Sequence, residues 1–210
     1  MTLREALVHS KNIPAARVIN QLGPASVAAF AADLGISAPL SPYLSLALGA
    51  SEVTLLELTS AYSVFPRLGK HMKPHGVSRI VDRQGRVIWQ GKTISKIVMP
   101  PADAAIMTDI LQGVIDEGTG RQASSLPCPL AGKTGTTDNY KDALFIGYSR
   151  KIVAGVWTGT DDYTTLGQWE TGAKSALPIW TAFMKTALTK SSCDEFDVPD
   201  GMVRVLIDPV

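Results

Sequence analysis

Ser10-Lys11-Asn12 and Lys133-Thr134-Gly135-Thr136, 123 positions apart, carry the residue types that an acyl transfer between peptides would use. Lys133 offers a positive charge and Thr134 and Thr136 offer hydroxyls for a carboxylate. Ser10 has a hydroxyl that can relay a proton to a leaving amine, and Asn12 an amide that can hold a peptide carbonyl. On a strand, Lys133 and Gly135 would share one face and the two threonines the other. Gly135 removes a side chain where a second backbone must come close, and a peptide can add beside such a strand through its main chain. Each motif is weak by itself: K-T-G is a short match, and Ser and Asn ahead of a helix are ordinary caps. The same chemistry also needs a nucleophile, in the pattern serine-x-x-lysine. No lysine of this chain has a serine three positions before it.

The elements that must position these residues follow from periodicity and turn chemistry. Leu3 to Leu22 reads as a helix interrupted at the Ser10-Lys11-Asn12 turn, restarting with Pro14 in a first turn, where its missing N–H is harmless. A second helix runs from about Ala25 to Leu34 and stops at Gly35. Ser45 to Ala50 is a small-residue connection, and Thr54 is placed to cap the helix that continues as LLELTSAYSVF. Val77–Val81 and Arg86–Trp89 flank Asp82-Arg83-Gln84-Gly85, a hairpin signature. A helix from Pro100 carries Ile106, Ile110, Leu111, Val114 and Ile115 on its apolar side and ends at Glu117-Gly118-Thr119-Gly120. Three strand candidates follow closely: Leu130–Thr137, Ala143–Tyr148 and Ile152–Thr158. A last helix, around Pro178 to Leu188, would lay Ile179, Trp180, Phe183, Met184 and Leu188 on that sheet. Helices first and strands later give an α+β class, an antiparallel sheet flanked by helices.

Composition sets the outer bounds. The 210 residues are 45% hydrophobic and 19% charged, enough to bury a core, and the net charge of +1 argues against nucleic acid as a partner. The start, MTLREALVHS, lacks the basic and apolar regions of a secretory signal. No apolar run approaches the ~18 residues of a membrane span. Cys128 and Cys193 read as two unpaired thiols, since a bridge would require an oxidising compartment. No cofactor and no metal is called for.

With both motifs placed, the chain resembles the C-terminal part of the transpeptidase domain of class A, bifunctional penicillin-binding proteins. The resemblance rests on TLREAL, HSKNIPAARVI, SLALGASEVTLLELTSAYSVF, DEGTG, AGKTGTTDNYKDALFIGY, AGVWTGTDD and ALPIWTAFM. It runs from Thr2 to about Lys185 and leaves 189–210 as a variable tail to one partial domain, 1–210. The resemblance implies a penicillin-binding, β-lactamase-like fold without its N-terminal S-x-x-K segment. It also implies cross-linking of peptidoglycan stem peptides through an acyl-serine that penicillins trap. Ser10, Asn12 and Lys133 would be catalytic, and Thr134, Gly135 and Thr136 substrate-binding. The Thr136 N–H would be half of an oxyanion hole. Place of work would be the outer side of the cytoplasmic membrane, the periplasm.

The departures matter as much. Without S-x-x-K the chain is expected to be inactive alone, and to expose a broad apolar surface that pairs with an N-terminal piece or with a second copy. Leu144 stands where the family commonly has tryptophan, and Thr171-Gly172-Ala173 where T-G-G is common. Two other readings remain open: a non-catalytic module binding D-alanyl peptides or β-lactams, and a β-lactamase-like hydrolase. Several features read as bland. His9 beside Ser10 is no catalytic pair, His71 and His75 belong to a solvated loop, and Asp161-Asp162 is a turn. Trp157, Trp169 and Trp180 are packing residues, and Thr93-Ile94-Ser95-Lys96 has its spacing by chance.

Overall fold

A computed structural model describes residues 1–188, 193–203 and 205. Three short helices come first: α1 (Leu3–Val8), α2 (Asn12–Leu22) and α3 (Pro24–Asp33). A single tight turn of helix at Leu44–Leu48 precedes α4 (Leu55–Tyr62), which opens on a reciprocal Thr54/Glu57 capping box. Strands β1 (Lys70–Met72), β2 (Arg79–Val81), β3 (Val87–Gln90) and β4 (Ser95–Ile97) form two antiparallel ribbons, β1 with β4 and β2 with β3. Helix α5 (Pro101–Asp116) leads into the main sheet, β5 (Ala131–Thr136), β6 (Asp142–Tyr148) and β7 (Val153–Gly159), in the order β5-β6-β7. Helix α6 (Leu177–Ala187) is the last regular element among the described residues. The α+β class and the antiparallel sheet are as the sequence pattern requires.

Alternation along the strands sorts the core into two layers. Leu130, Phe145, Ala154 and Val156 meet Leu177, Trp180 and Met184 of α6 on one face of the sheet. Ala131, Tyr148 and Val153 meet Val8 of α1, Leu111 and Val114 of α5, and Phe196 on the other. The cross-strand pair Gly132↔Gly147 admits α6 to the sheet. A Cβ at Gly147 would lie 2.7 Å from the Trp180 ring, and one at Gly132 2.8 Å from the Phe145 ring. Trp180 is fully buried, edge-on to Phe145, and its indole N–H donates to the Ala154 carbonyl at 3.0 Å.

Several expectations change. The α6 face on the sheet is Leu177, Trp180 and Met184, while Ile179 and Phe183 are about half exposed, because 3.6-residue spacing puts them on the far side. In α5 the buried stripe is Ala104, Thr108, Leu111, Val114 and Ile115, with Ile106 exposed; buried Thr108 is satisfied by the Tyr148 hydroxyl at 3.2 Å. His71 lies in β1 rather than in a loop, its ring against Gly35, where φ is +96° and a Cβ would come within 2.4 Å of the imidazole. Lys96, in β4, is an ion-pair partner of Asp33 at 2.6 Å. The β1–β4 ribbon itself is too short to leave a periodic signature.

The cysteine reading is overturned. Cys128 and Cys193 are bridged, with Cα atoms 4.8 Å apart. The bridge, buried Phe196 and the ion pairs of Arg150 with Asp194 and Asp197 fasten the residues after Cys193 to the sheet. Of the expected tail, 189–192, 204 and 206–210 lie outside the described residues. Apolar side chains are exposed along the first helices, Leu3, Ile13 and Leu22 each by more than 60%. Among the described residues no helix is long and apolar enough to cross a membrane.

Candidate functional site

The corner between α1 and α2 is built to present Ser10. Thr2 and Glu5 form a capping box that starts α1, with Glu5 N–H donating to the Thr2 hydroxyl at 3.2 Å. Two turns later the helix is stopped by Ser10, at φ +53°. The Ser10 N–H reaches the Leu7 carbonyl at 3.1 Å and the Lys11 N–H the Ala6 carbonyl at 2.8 Å, the closing pattern of a left-handed helix end. A left-handed non-glycine residue costs on the order of 1–2 kcal/mol, and such strain collects where a side chain must be aimed. Val8, 1% exposed, anchors the corner in the core, so the strained residue is held from inside. Asn12 begins α2 and borders, with Ser10, Leu3 and Ile13, an open cleft of about 800 Å³.

Lys133 comes from β5, an edge strand whose second edge carries no strand among the described residues. By alternation it shares a face with Ala131, which packs with Val8, so its side chain is directed toward the α1 corner. Its ammonium donates to the Ser10 hydroxyl at 2.8 Å, to the Thr134 carbonyl at 3.1 Å and to the Thr134 hydroxyl at 3.4 Å. Burial removes water from Nζ and pulls its pKa down to about 8. Such a lysine loses and regains a proton near physiological pH.

The threonines are held from the other side. Thr134 Oγ1 is 2.7 Å from the hydroxyl of Thr119, in the loop after α5. That loop is fixed to the Ser10 corner: Thr119 N–H donates to the Val8 carbonyl at 3.4 Å, and a Cβ at Gly118 would sit 2.4 Å from the same oxygen. Thr136, exposed at the end of β5, accepts from the Gly172 N–H at 3.0 Å. Gly172 opens the π-helical turn Gly172–Ala176, and a Cβ there would come within 2.4 Å of the Leu144 carbonyl and 2.5 Å of the Gly135 carbonyl. Gly135 faces Leu144 across the strands, 3.3 Å from where its own Cβ would stand. Leu144 thus fills the space beside a bare backbone.

The structure therefore joins Ser10, Lys133 and Thr134 in one hydrogen-bonded group and sets Asn12 beside Ser10 on the cleft along α1 and α2. Gly135 and Thr136 lie next along the strand. Reading by motif missed Thr119, a neighbour of Thr134; the two glycines around it in Gly118-Thr119-Gly120 were the available signal of close backbone packing. Of the remaining readings, the turn at Asp161-Asp162 and the packing of Trp180 hold, while Trp157 and Trp169, read as packing residues, are 46% and 62% exposed. Asp162 accepts from Thr164, and Trp157 donates to Asp142 at 2.8 Å. Trp169 leans on Tyr140 with ring centroids 6.2 Å apart.

An edge strand bearing K-T-G is thus faced by a serine from a helix corner, 2.8 Å from the lysine ammonium. Residues 1–185 match the family model of the penicillin binding protein transpeptidase domain. Penicillin-binding protein 1A of Aquifex aeolicus is 41% identical over 209 residues, spanning all of this chain and 29% of that protein. Its Pseudomonas aeruginosa counterpart is 33% identical over 260 residues, with 99% of this chain and 32% of that one covered. The crystal structure of penicillin-binding protein 1A from Haemophilus influenzae superposes with a TM-score of 0.90 at 29% identity, covering 99% of this chain and 37% of that one. That of PonA1 from Mycobacterium tuberculosis, in complex with penicillin V, gives 0.84 at 25% identity, covering 99% and 62%. The chain belongs to the penicillin-binding protein transpeptidase domain family. It spans about a third or less of the length of these curated relatives.

Proposed function

We propose that these residues form the S-x-N and K-T-G wall of a peptidoglycan DD-transpeptidase site. The observation that carries the reading is the 2.8 Å hydrogen bond from Lys133 to Ser10, which closes two motifs 123 residues apart into one group. In the proposed reaction a serine supplied by an S-x-x-K segment, a pattern these 210 residues do not contain, gives its hydroxyl proton to that segment's lysine as its oxygen attacks the carbonyl between two D-alanines. The tetrahedral oxyanion takes one hydrogen bond from the Thr136 N–H, a donor of a kind worth about 10²–10³ in rate. Collapse breaks the C–N bond, and Ser10, backed by Lys133, passes a proton to the leaving D-alanine nitrogen. A second strand's amine then takes the acyl group, and the cross-link is made. Asn12 holds the donor's amide carbonyl, Gly135 lets the donor backbone lie against β5, and the hydroxyls of Thr134 and Thr136 hold its terminal carboxylate.

β-Lactams would enter the same wall as donor mimics. The exposed apolar side chains of α1 and α2 beside the cleft suit an N-terminal transpeptidase segment, or a second copy, as the covering partner. An oxidised Cys128–Cys193 bridge fits work outside the reducing cytosol, on the periplasmic side of the membrane. Titration with diacetyl-L-lysyl-D-alanyl-D-alanine, followed by NMR shifts at Ser10, Lys133 and Thr136, tests the reading. Saturable shifts at these three residues, lost in Lys133→Met, are expected; shifts elsewhere, or none, would contradict it.

A further inference from the structure

We propose that Trp169 and Tyr163 form a stacking platform, beside the Thr136 end of β5, for a sugar ring of the glycan that carries the donor stem peptide. The inference rests on the proposed transpeptidase reading and deepens it. Among the described residues six non-glycine positions have a left-handed φ: Ser10, Leu68, Asn139, Tyr140, Tyr163 and Trp169. Four of the six fall in the two loops that meet past the end of β5, residues 137–141 and 160–171. Left-handed backbone is unfavourable for a bulky side chain, and such strain collects where a side chain is aimed rather than packed. Here it turns rings outward: Trp169 is 62% exposed at φ +69°, and Tyr163 is 53% exposed at φ +55°.

The two loops hold these rings in place. The Leu166 N–H donates to the Tyr140 carbonyl at 2.8 Å and joins one loop to the other. The Tyr140 ring leans on Trp169, with centroids 6.2 Å apart and planes at 46°, and the Lys141 ammonium sits 4.4 Å from the centre of the Tyr163 ring. Each ring is supported and still more than half exposed. A flat apolar face with an N–H or O–H at its rim matches a pyranose, whose C–H bonds crowd one face and whose hydroxyls ring the edge. The distances fit as well. Gly172, three positions after Trp169, donates to the Thr136 hydroxyl at 3.0 Å. Three Cα–Cα steps span at most ~11 Å. A stem peptide places three residues between its sugar and the reacting D-alanine, about 10 Å of extended chain. A donor whose scissile carbonyl lies at the Thr136 N–H therefore has its sugar within reach of Trp169.

The test titrates the 210-residue chain with a stem pentapeptide and with the same peptide carried on its N-acetylglucosaminyl-N-acetylmuramic acid disaccharide. Binding is followed by NMR at the Trp169 indole N–H and at Ser10, Lys133 and Thr136. Wild type should bind the sugar-bearing ligand about tenfold more tightly than the bare peptide. Trp169→Ala and Tyr163→Ala should each lose most of that gain, with affinity for the bare pentapeptide unchanged. Trp169→Phe should keep most of it, and Trp89→Ala, which removes an exposed ring from the β2–β3 ribbon, all of it. Equal affinity of wild type for the two ligands, binding of neither, or a gain that survives in Trp169→Ala would overturn the proposal. So would equal weakening of both ligands in the two alanine variants, which would make the rings structural. Shifts at Ser10, Lys133 and Thr136 without a sugar gain would remove the platform alone. Shifts at Trp169 with the sugar-bearing ligand, and none at those three residues, would uphold the platform and remove the transpeptidase reading.

Discussion

Trp180 and Trp89 stand in two parts of the molecule that hold together differently. Trp180 is fully buried on a floor made by Gly132 and Gly147, with its N–H satisfied, in the layer behind the K-T-G strand. Trp89 is 46% exposed on β3, paired with Ile80 across a two-stranded ribbon in which every strand residue is exposed. The segment from Lys70 to Ile97 carries seven lysines and arginines against one acid, Asp82, in a chain of net charge +1. That acid is tied to Arg86 at 2.6 Å within the turn. Packing density and backbone proximity define the sheet region; turn chemistry alone defines the ribbon. A site that must hold four hydroxyl and ammonium groups within hydrogen-bond reach belongs in the first kind of region.

Truncating each tryptophan breaks the comparison most sharply. Trp180→Ala should cost about 4 kcal/mol, the range for deleting a large aromatic from a core. In urea or thermal unfolding it should also erase the NMR signature of the Lys133–Ser10 contact. Next comes the bridge. Reducing Cys128–Cys193, or replacing Cys128 by serine, should lower stability by about 3 kcal/mol, since the bond closes a long loop. The loss should be seen as a lower denaturant midpoint with an intact sheet.

The third prediction concerns pH. Burial pulls the Lys133 pKa from its ordinary value of 10.5 down to about 8 in the folded chain. Below the lower value both states carry the proton. Between them the unfolded chain binds more protons, so this residue's contribution rises with pH. The stability difference between wild type and Lys133→Met should therefore shift in favour of wild type from pH 7.5 to 9.5; a flat difference would remove the buried-lysine account. Smallest of all, Trp89→Ala should change stability by no more than about 0.5 kcal/mol, as surface substitutions do. A loss as large as that of Trp180→Ala would mean the ribbon is part of the core.

The legible parts of the molecule were those written in local chemistry. The cap at Thr54, the turn at Asp82–Gly85, and the alternation in β5, β6 and β7 each need only neighbouring residues to be read. Lys133 and Ser10 were legible as a pair because their motifs are specific together. What escaped is long-range. Nothing near Cys128 announces Cys193, and nothing near His71 announces Gly35 as the residue that receives it. Thr119 escaped because its partner Thr134 is brought to it only by the packing of α5 and α1 on one sheet. The faces of α5 and α6 were misread by a fraction of a turn, since apolar residues on two sides of a helix leave the choice to the sheet, whose glycines accept Trp180 and not Phe183.

The most direct test of the central claim is the intact mass of the chain after incubation with excess benzylpenicillin, alone and mixed with an S-x-x-K-bearing transpeptidase segment as a second chain. No adduct is expected on the 210-residue chain in either case, and acylation of the added segment only when both are present. A covalent adduct on this chain by itself would reveal a nucleophile elsewhere in it and would contradict the assignment of Ser10 and Lys133 to one wall of a shared site.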